Sequence, residues 1–397
     1  MLTLSSFRYE VPTIIEFGRG AVHELPKHVE ALGGNKALIV GDPGVLQAGI
    51  VNRVEEPLEK AGIPYMTFTD VGIEASIESV DYGVEMAKRS GCDIVVGVGG
   101  GSALDTAKSI GIMLKHEGNI RDYIGLDKVP SPGASVIAIP TTAGTGSEMT
   151  RFAVLSDKKA KAKLSVGSMF ACPTLALCDP ELTTSLPPHI TAATGMDALT
   201  HALESFVNKA TQPISEGLSI QSMKLISKSI RLAVSQGENM DARQDMLMAS
   251  TIAAMAFNTT RLGLAHALAI PLGAHFKIPH GVVNAILLPE VMKFNIIGNT
   301  EKFAEIARIF GEKTDHLSTR EAAERAVVAI KLLNKDIGIT QTLSDYGVEE
   351  QHLDLIVDEA ILSGNVPVNP VKPTKEDLKN ICRGVMSKHN KKEVIIG

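Results

Sequence analysis

The sequence predicts an α/β N-terminal domain with a parallel sheet, followed by an all-α C-terminal domain. In the first part, short apolar runs alternate with helical stretches at 48–61 and 76–90, and this alternation indicates βαβ units. The apolar runs, which are typical of buried parallel strands, are residues 36–42, 94–101, 135–140 and 174–178. In the second part only helical periodicity remains.

The helical part begins at Leu186-Pro187-Pro188, which predicts two domains, 1–185 and 186–397. Residues 11–23 predict an extra leading strand outside the main βαβ series. Because an open strand edge favours pairing with a second copy, we expect a homodimer or a higher homo-oligomer. The segments with apolar residues at helical spacing are 190–208, 214–236, 241–257, 300–310, 318–334 and 374–387.

Composition excludes several classes of protein. With 44% hydrophobic and 21% charged residues among 397, the chain is not of the disordered or coiled-coil type. Its net charge of −6 argues against general nucleic-acid binding, and no run reaches the roughly 18 apolar residues of a membrane helix. Its cysteines form no C-x-x-C pair and no secretory signal is visible. We therefore expect a cytoplasmic enzyme with a small-molecule partner and neither nucleic acid nor membrane.

A glycine-rich turn follows the second of these apolar runs. Gly99, Gly100 and Gly101 let backbone N–H groups approach a phosphate, and the following helix adds unpaired N–H donors. Ser102 and Asp105 resemble a capping box at the start of that helix. The turn departs from G-x-G-x-x-G, because Ser102 stands in place of the third glycine. It predicts a phosphate site, with a plain tight turn as the alternative.

Two further features point to a cofactor. The segment TTAGTGSE at 141–148 is a polar loop after a strand, where α/β proteins bind ligands; an ordinary polar loop is the alternative. Asp42 ends the first apolar run. A carboxylate there can bond a ribose diol and repel a 2′-phosphate, although a turn residue ahead of Pro43 is the alternative.

A cluster in the helical part has metal-ligand chemistry. Asp197 and His201 are spaced i, i+4, so on a helix they share one face. His266 and His280 follow in a second segment, with His275 between them. One carboxylate and three imidazoles suit Fe(II) or Zn(II). Any one of these histidines alone is more often a core or surface residue, so the prediction depends on the cluster.

These motifs resemble the iron-containing alcohol dehydrogenase family. The resemblance extends over nearly the whole chain, through PTIIEFGRGA, GGGSALDTAK, PTTAGTGSE, GMDALTHALE and HALAIPLGAHFKIPHG. It implies a dinucleotide-binding α/β domain and a helical metal domain with the active site between them, an architecture shared with dehydroquinate synthase. The implied reaction is hydride transfer between NAD(H) and a small aldehyde or its primary alcohol, with the metal as a Lewis acid.

The resemblance also assigns residues by motif. It makes Asp197, His201, His266 and His280 the metal ligands, with Fe(II) favoured over Zn(II). It makes Asp42 the adenosine-ribose ligand that favours NAD over NADP. The cofactor contacts that we assign within or beside its motifs are Gly99, Gly100, Gly101, Ser102, Asp105, Thr141, Thr142, Ser147, Thr150 and Lys163.

Two departures from the family's pattern concern the substrate. Many members carry a second histidine four residues after the third ligand, where this chain has Ile270. The proton then travels by water and the ribose hydroxyl, or through His275. Arg151 and Arg261 stand where members commonly have small or apolar residues, and we assign both to the catalytic cleft together with Phe257. Arginine prefers carboxylate, sulfonate or phosphate groups, which points to a semialdehyde, sulfoaldehyde or phosphonoaldehyde. The alternative is that both arginines are solvated or bind the pyrophosphate.

Other functions stay open at this stage. A generalist short-chain alcohol dehydrogenase or lactaldehyde reductase has the same motifs without an anionic substrate. A zinc polyol dehydrogenase of the glycerol type shares the architecture with a different ligand set. A lyase of the dehydroquinate synthase type binds NAD and metal but returns the cofactor unchanged. A scaffold without activity fits poorly with intact ligands and cofactor loops.

Overall fold

A computed structural model of the chain describes residues 6–157 and 162–387. The strands in this part are β1 (Ile14–Phe17), β2 (Ala37–Val40), β3 (Tyr65–Phe68), β4 (Ile94–Gly99), β5 (Gly125–Leu126), β6 (Val136–Pro140), β7 (Phe152–Asp157), β8 (Ala162–Gly167) and β9 (Leu175–Cys178). The helices before residue 185 are α1 (Leu25–Ala31), α2 (Pro43–Gln47), α3 (Ile50–Ala61), α4 (Ile77–Ser90) and α5 (Gly101–Met113).

The later helices follow after the last strand of the described residues. They are α6 (Pro188–Val207), α7 (Pro213–Ser235), α8 (Met240–Thr260), α9 (Leu264–Phe276), α10 (His280–Asn295), α11 (Thr300–Ile309), α12 (Thr319–Asp336), α13 (Leu353–Ala360) and α14 (Lys375–Gly384). The predicted α/β and all-α parts are therefore confirmed. Cys178 and Pro188, the last strand residue and the first residue of α6, lie on either side of the predicted boundary.

Six strands form one parallel sheet in the order β1-β9-β6-β4-β2-β3. Strands β2, β4, β6 and β9 are buried on both faces, which explains their continuous apolar sequences. The leading strand β1 lies at the edge of this same sheet, paired in parallel with β9, rather than apart from it. Its two isoleucines, Ile14 and Ile15, are exposed.

A smaller three-stranded sheet, in the order β5-β8-β7, stands beside the main one. Strands β7 and β8 pair in antiparallel fashion from Phe152 opposite Gly167 to Asp157 opposite Ala162. The sequence analysis did not predict β7 or β8. Buried residues alternate along β7 at Ala153, Leu155 and Asp157, the period of a half-buried strand, but the apolar Val154 on the exposed face hides this alternation in the sequence. Strands β7 and β8 follow the polar loop at 141–150, whereas β5 precedes it.

The polar loop packs closely against the helical part. A β-carbon on Gly144 would lie 2.7 Å from Cβ of Thr194 on α6, and one on Gly146 would lie 2.3 Å from Cβ of Ala254 on α8. Gly146 also has a φ of +63°, so glycine is required there for two reasons. These contacts place the carboxyl ends of the parallel strands against α6 and α8, and the candidate site lies where they meet.

The segment His280–Gly298 has the length and mean hydropathy (1.3) of a membrane span, and it is the one such helix among the described residues. However, 61% of it is buried within the protein, where α10 packs against α6, α9 and α12. The segment is therefore a core helix of the protein, and its first residue, His280, belongs to the candidate site.

Candidate metal centre and cofactor loops

Three imidazoles converge on one carboxylate oxygen. The Nε2 atoms of His201, His266 and His280 lie 3.8, 3.6 and 3.6 Å from Oδ1 of Asp197. A tetrahedral ion with bonds of about 2.1 Å separates its ligands by about 3.4 Å. The ligand atoms of Asp197, His201 and His266 lie within 4.8 Å of one another, near the spacing of a coordination sphere, and His280 is as close to Asp197 as His266 is. Asp197, His201 and His266 are buried, whereas the side chain of His280 is 47% exposed. The residue set predicted as metal ligands is thus brought together, with one open side.

Helix positions explain this convergence. Asp197 and His201 are one turn apart on α6, as their i, i+4 spacing predicts. His266 lies in the first turn of α9 and His280 is the first residue of α10. Gly281 allows α10 to approach α6, since a β-carbon there would lie 2.1 Å from the carbonyl oxygen of Ala193. The ligands therefore come from three helices packed at close range.

Second partners fix the orientation of two of the rings. Nδ1 of His266 lies 2.7 Å from Oε2 of the buried Glu204, and Nδ1 of His201 lies 3.2 Å from the carbonyl oxygen of Gly144. Each ring therefore donates through Nδ1, which leaves Nε2 facing Asp197, with its lone pair free once the ring is neutral. This arrangement is typical of metal-binding histidines. Glu204 was not among the residues identified from the sequence, because its partner lies 62 residues away.

The electrostatics of the cluster favour a cation. Burial lowers the pKa of His201 to about 3 and also lowers the pKa of His280, so both rings are neutral. Burial opposes ionisation of Asp197, but the three imidazoles hold its pKa below the ordinary value. Burial also lowers the pKa of His266, but Asp197 and Glu204 outweigh it and raise the pKa to about 9.

Asn284, one turn along α10 from His280, provides a further test of the fit. Its Nδ2 atom lies 2.8 Å from Oδ1 of Asp197, 3.1 Å from Nε2 of His266 and 3.2 Å from Nε2 of His280. Once the imidazoles are neutral, the two hydrogens of this amide nitrogen are fewer than the three acceptors around it. The buried Oδ1 of Asn284 has no hydrogen-bond partner among the described residues. A surplus of acceptors is what a divalent cation satisfies. The site therefore fits Fe(II) or Zn(II).

The glycine turn leads directly into α5. Gly100 is the residue before the helix, with no side-chain cap, and Gly99 has a φ of +147°. The predicted capping box at Ser102 and Asp105 is wrong, because Ser102 lies inside the first turn and its Oγ donates to the carbonyl oxygen of Ile73. The first N–H groups of α5 stay available, as a phosphate site requires.

Asp42 is the turn residue considered as its alternative role, and it also lies beside the glycine turn. Its Oδ1 accepts from the N–H groups of Gly44 and Val45, which caps α2. Its Oδ2 faces the glycine turn, 3.1 Å from the position of a β-carbon on Gly99. One oxygen is thus used by the turn, and the carboxylate still lies beside the predicted phosphate site, where a ribose would follow.

A lysine that the sequence analysis did not single out joins the two loops. Lys108 on α5 is 1% exposed. Three residues assigned to the cofactor direct polar atoms at its Nζ, namely Asp105 at 3.0 Å, Ser147 at 2.8 Å and Thr150 at 3.3 Å. Both carboxylate oxygens of Asp105 are engaged, since Oδ2 accepts from the backbone of Val154. These side chains hold the loops together. Thr141 and Thr142 adjoin the glycine turn, Thr141 through its N–H to the carbonyl oxygen of Gly99 at 3.0 Å.

Two predicted site residues are occupied elsewhere. Lys163 on β8 forms an ion pair of 2.8 Å with Glu74, although its charge still lowers the pKa of His280 across the cleft. His275 pairs with Glu359 at 2.8 Å. It is nine residues along α9 from His266, or about 13 Å at 1.5 Å per residue. The structure therefore does not bring His275 to the metal cluster.

Comparison with known proteins agrees with this geometry. The family model for iron-containing alcohol dehydrogenases matches residues 12–180, and that for the C-terminal part of the same family matches residues 191–386. The chain belongs to the iron-containing alcohol dehydrogenase family.

Individual relatives cover nearly the whole dehydrogenase. The 1,3-propanediol dehydrogenase of Citrobacter freundii is 42% identical over 95% of this chain and 98% of its own. A solved 1,3-propanediol oxidoreductase is 41% identical, with a TM-score of 0.94 over 96% of this chain and 100% of its own. A sulfoacetaldehyde reductase from Bifidobacterium kashiwanohense, solved with NAD+, is 32% identical, with a TM-score of 0.89 over 97% and 100%.

The residues assigned to the substrate cleft of the dehydrogenase differ in their surroundings. The ring of Phe257 lies 4.5 Å from the ring of His201. Arg151 pairs with Asp127, so its charge is already matched. Arg261 is exposed, directly follows α8, and has no ion pair among the described residues. Ile270, one turn along α9 from His266, is 45% exposed.

The backbone of Arg261 is unusual. Its φ of +63° and ψ of −168° lie in a region that is otherwise almost confined to glycine. Its guanidinium lies over Gly364, where a β-carbon would come within 2.1 Å of Nη1. Strained residues concentrate at functional sites, and this one separates the helix carrying Phe257 from the helix carrying His266.

Proposed function

We propose that this dehydrogenase interconverts a small aldehyde and its primary alcohol with NAD(H) at a single Fe(II) site. The observation that carries the proposal is the convergence of three imidazole Nε2 atoms on Oδ1 of Asp197, beside a glycine turn that opens a helix. Iron is supported by the family to which the chain belongs, and Zn(II) suits the same donors. Use of NAD(H) is supported by the carboxylate of Asp42 beside the glycine turn.

When bound, the metal polarises the substrate oxygen and NADH supplies the hydride. The residues of the chain set the geometry for this chemistry. Glu204 and the carbonyl oxygen of Gly144 keep the lone pairs of His266 and His201 directed at the cluster. Phe257 packs against His201 and excludes water from that side. The exposed side at His280 is the entry for substrate.

The proton that completes the alcohol arrives from solvent in this proposal. Ile270 has no titratable group, and His275 is held by Glu359. The exposed side of His280 gives water direct access to the cleft. A water chain through the ribose hydroxyl is thus the route that the arrangement of side chains leaves open.

For the substrate we propose a short anionic aldehyde, such as a semialdehyde, a sulfoaldehyde or a phosphonoaldehyde. Support comes from Arg261, whose strained backbone and unmatched charge are otherwise unexplained. Arg151 contributes less, because Asp127 neutralises it. The second candidate is a neutral aldehyde of the lactaldehyde or hydroxypropanal type, which the similarity to a 1,3-propanediol dehydrogenase favours.

The test is NADH oxidation by protein loaded with Fe(II) without oxygen, on matched neutral and anionic short aldehydes. We expect higher kcat/KM for the anionic set, and in Arg261→Gln a loss of about 10-fold or more on that set alone, because a charged hydrogen bond is worth about 1.5–3 kcal/mol. Arg151→Gln, the matched control, should change kcat/KM much less. Equal losses on both sets would favour the neutral substrate. No NADH oxidation despite bound metal and NADH would favour the lyase.

We also propose that the protein is a homodimer and works in the cytoplasm. The dimer is supported by the outer edge of β1, where Ile14 and Ile15 are exposed and no strand of the described residues pairs with the edge. A reducing compartment is supported by four free cysteines. Sedimentation of the wild type against Ile14→Lys tests the first point, since a charge in the edge should favour the monomer.

A further inference from the structure

Lys108 is a fully buried cation in a place that the reaction itself does not use. Six oxygen atoms surround its Nζ within 3.4 Å: those of the Asp105 carboxylate, of the hydroxyl and carbonyl groups of Ser147 and Thr150, and of the Phe152 carbonyl. A buried ammonium is costly unless it is paired and hydrogen-bonded. The hydrogen bonds that compensate this buried charge are therefore concentrated at the junction between α5 and the loop at 141–150.

That loop contacts both candidate ligand sites. At its start, the N–H of Thr141 donates to the carbonyl oxygen of Gly99 in the glycine turn. Thr145 packs against the same turn, 3.1 Å from the position of a β-carbon on Gly101. In its middle, the carbonyl oxygen of Gly144 orients His201. At its end, Lys108 fastens it to α5.

We propose that Lys108 is a positioning residue that makes the loop at 141–150 a rigid link, so that dinucleotide binding and metal binding strengthen each other. A ligand on the glycine turn restricts the first half of the loop, and because Lys108 fixes the second half, Gly144 is left in the position that His201 requires. The conformational entropy that the loop loses when the first ligand binds need not be lost again when the second ligand binds. By linkage, the metal tightens NADH by the same factor.

This inference rests on the proposed function only for the identity of its two ligands, NADH and the metal ion. The test contains no aldehyde, so it is independent of turnover. Zn²⁺ affinity is measured by competition with a chromophoric chelator, with and without saturating NADH, and NADH affinity is measured by its fluorescence. In the wild type we expect NADH to raise Zn²⁺ affinity by about 5-fold or more, the lower end of usual coupling.

Two variants remove the contacts between Lys108 and the loop at 141–150 to different degrees. Lys108→Met removes the charge, and Ser147→Ala removes only the hydroxyl that bridges Lys108 and Asp105. We expect the coupling factor to fall toward 1 in Lys108→Met and to an intermediate value in Ser147→Ala, which keeps the test decisive if the first variant does not fold. Ser109→Ala is the matched control, because Ser109 is equally buried on α5 and, within the part of the chain that the structure describes, its hydroxyl bonds only to the carbonyl oxygen of Asp105 in the same helix.

If Lys108 had a purely structural role, Lys108→Met would weaken both Zn²⁺ and NADH binding but leave the coupling factor at its wild-type value. Glu204→Gln provides this comparison, since it should lower Zn²⁺ affinity while the effect of NADH persists. A wild-type coupling factor of 1, or a wild-type factor retained in Ser147→Ala, would overturn the proposal. Coupling without any aldehyde turnover would support the link and count against the proposed function alone.

Discussion

The Nδ1 atom of His266 lies 2.7 Å from Oε2 of Glu204, and the same carboxylate accepts the backbone N–H groups of Gly263 and Ala265. Glu204 therefore holds the first turn of α9 and the ring that this turn carries. It is 3% exposed, so its charge is compensated by these donors rather than by water. One carboxylate sets both the position and the tautomer of a candidate metal ligand.

Replacing Glu204 by Gln should weaken metal binding without unfolding the protein. The amide keeps the size of the side chain but loses one acceptor oxygen, so the ring of His266 is no longer fixed. Losses of this kind are about 10- to 100-fold in metal affinity, which chelator competition measures. Glu216→Gln, which removes a carboxylate paired with Lys302, is the control. Wild-type affinity in Glu204→Gln would show that the tautomer of His266 is set in another way.

Metal uptake should depend on pH through one proton. Burial lowers the pKa of His266, but Asp197 and Glu204 outweigh it and raise the pKa to about 9, whereas a ligand must be neutral. Below that pH a proton must leave before the metal binds, so affinity should rise about tenfold per pH unit and level off above about pH 9. His201, with a pKa of about 3, adds nothing in this range. Calorimetry in two buffers counts the proton released, and none released at pH 7 contradicts the assignment.

His280→Ala should abolish metal retention and turnover while NADH binding is kept. The side chain supplies one of the three Nε2 atoms around Asp197 and makes no contact with the glycine turn in the described residues. Metal content after gel filtration and NADH fluorescence are the two readouts. Wild-type metal content and rate would refute the ligand role. Loss of NADH binding as well would mean that the variant has disturbed the fold.

The predictable part of the fold is the part with local patterns. Buried parallel strands such as β4 have continuous apolar sequences, and α12 has apolar residues at helical spacing with a Ser318 cap. Helices α9 and α10 were missed, because they contain Pro271 and Pro289 and their sequences are apolar on nearly every side, with no polar face to set a period. The metal-bearing segments were therefore identified by their histidines and not as helices.

The same distinction holds within the site. Asp197 and His201 share a local spacing, whereas Lys108 and Glu204 acquire their roles from partners about 40 and 60 residues away. Nothing in the neighbouring sequence of Lys108 indicates that it is buried. The error at Ser102 had the opposite cause. A local cap pattern was present, but Gly100 is the residue that precedes α5, so Ser102 lies two positions too late to cap the helix.

Asp42→Ser should relax the choice of cofactor while the fold is kept. Serine caps a helix about as well as aspartate, so α2 is retained, but the negative charge near the predicted ribose is lost. Removing a unit charge a few ångströms from a phosphate is worth about 1–4 kcal/mol. The ratio of kcat/KM for NADPH to that for NADH should rise by about tenfold or more. Asp42→Ala, which also loses the cap, should lose about 1 kcal/mol of stability. An unchanged ratio in both variants would remove Asp42 from the cofactor site.

Arg261→Gly should stabilise the protein and harm its specificity. The backbone of Arg261 lies in a region that costs a side chain about 1–3 kcal/mol, against about 0.5–1 kcal/mol for the added chain entropy of glycine. The net gain should be about 1 kcal/mol in the free energy of unfolding, measured by urea titration. Arg261→Ala keeps the strain and should gain nothing. If Arg261 serves an anionic substrate, both variants should raise the KM for anionic aldehydes equally, while only the glycine variant becomes more stable. A glycine variant that is less stable than the wild type would mean that the guanidinium contact over Gly364 outweighs the strain, and Arg261 would then be a structural residue.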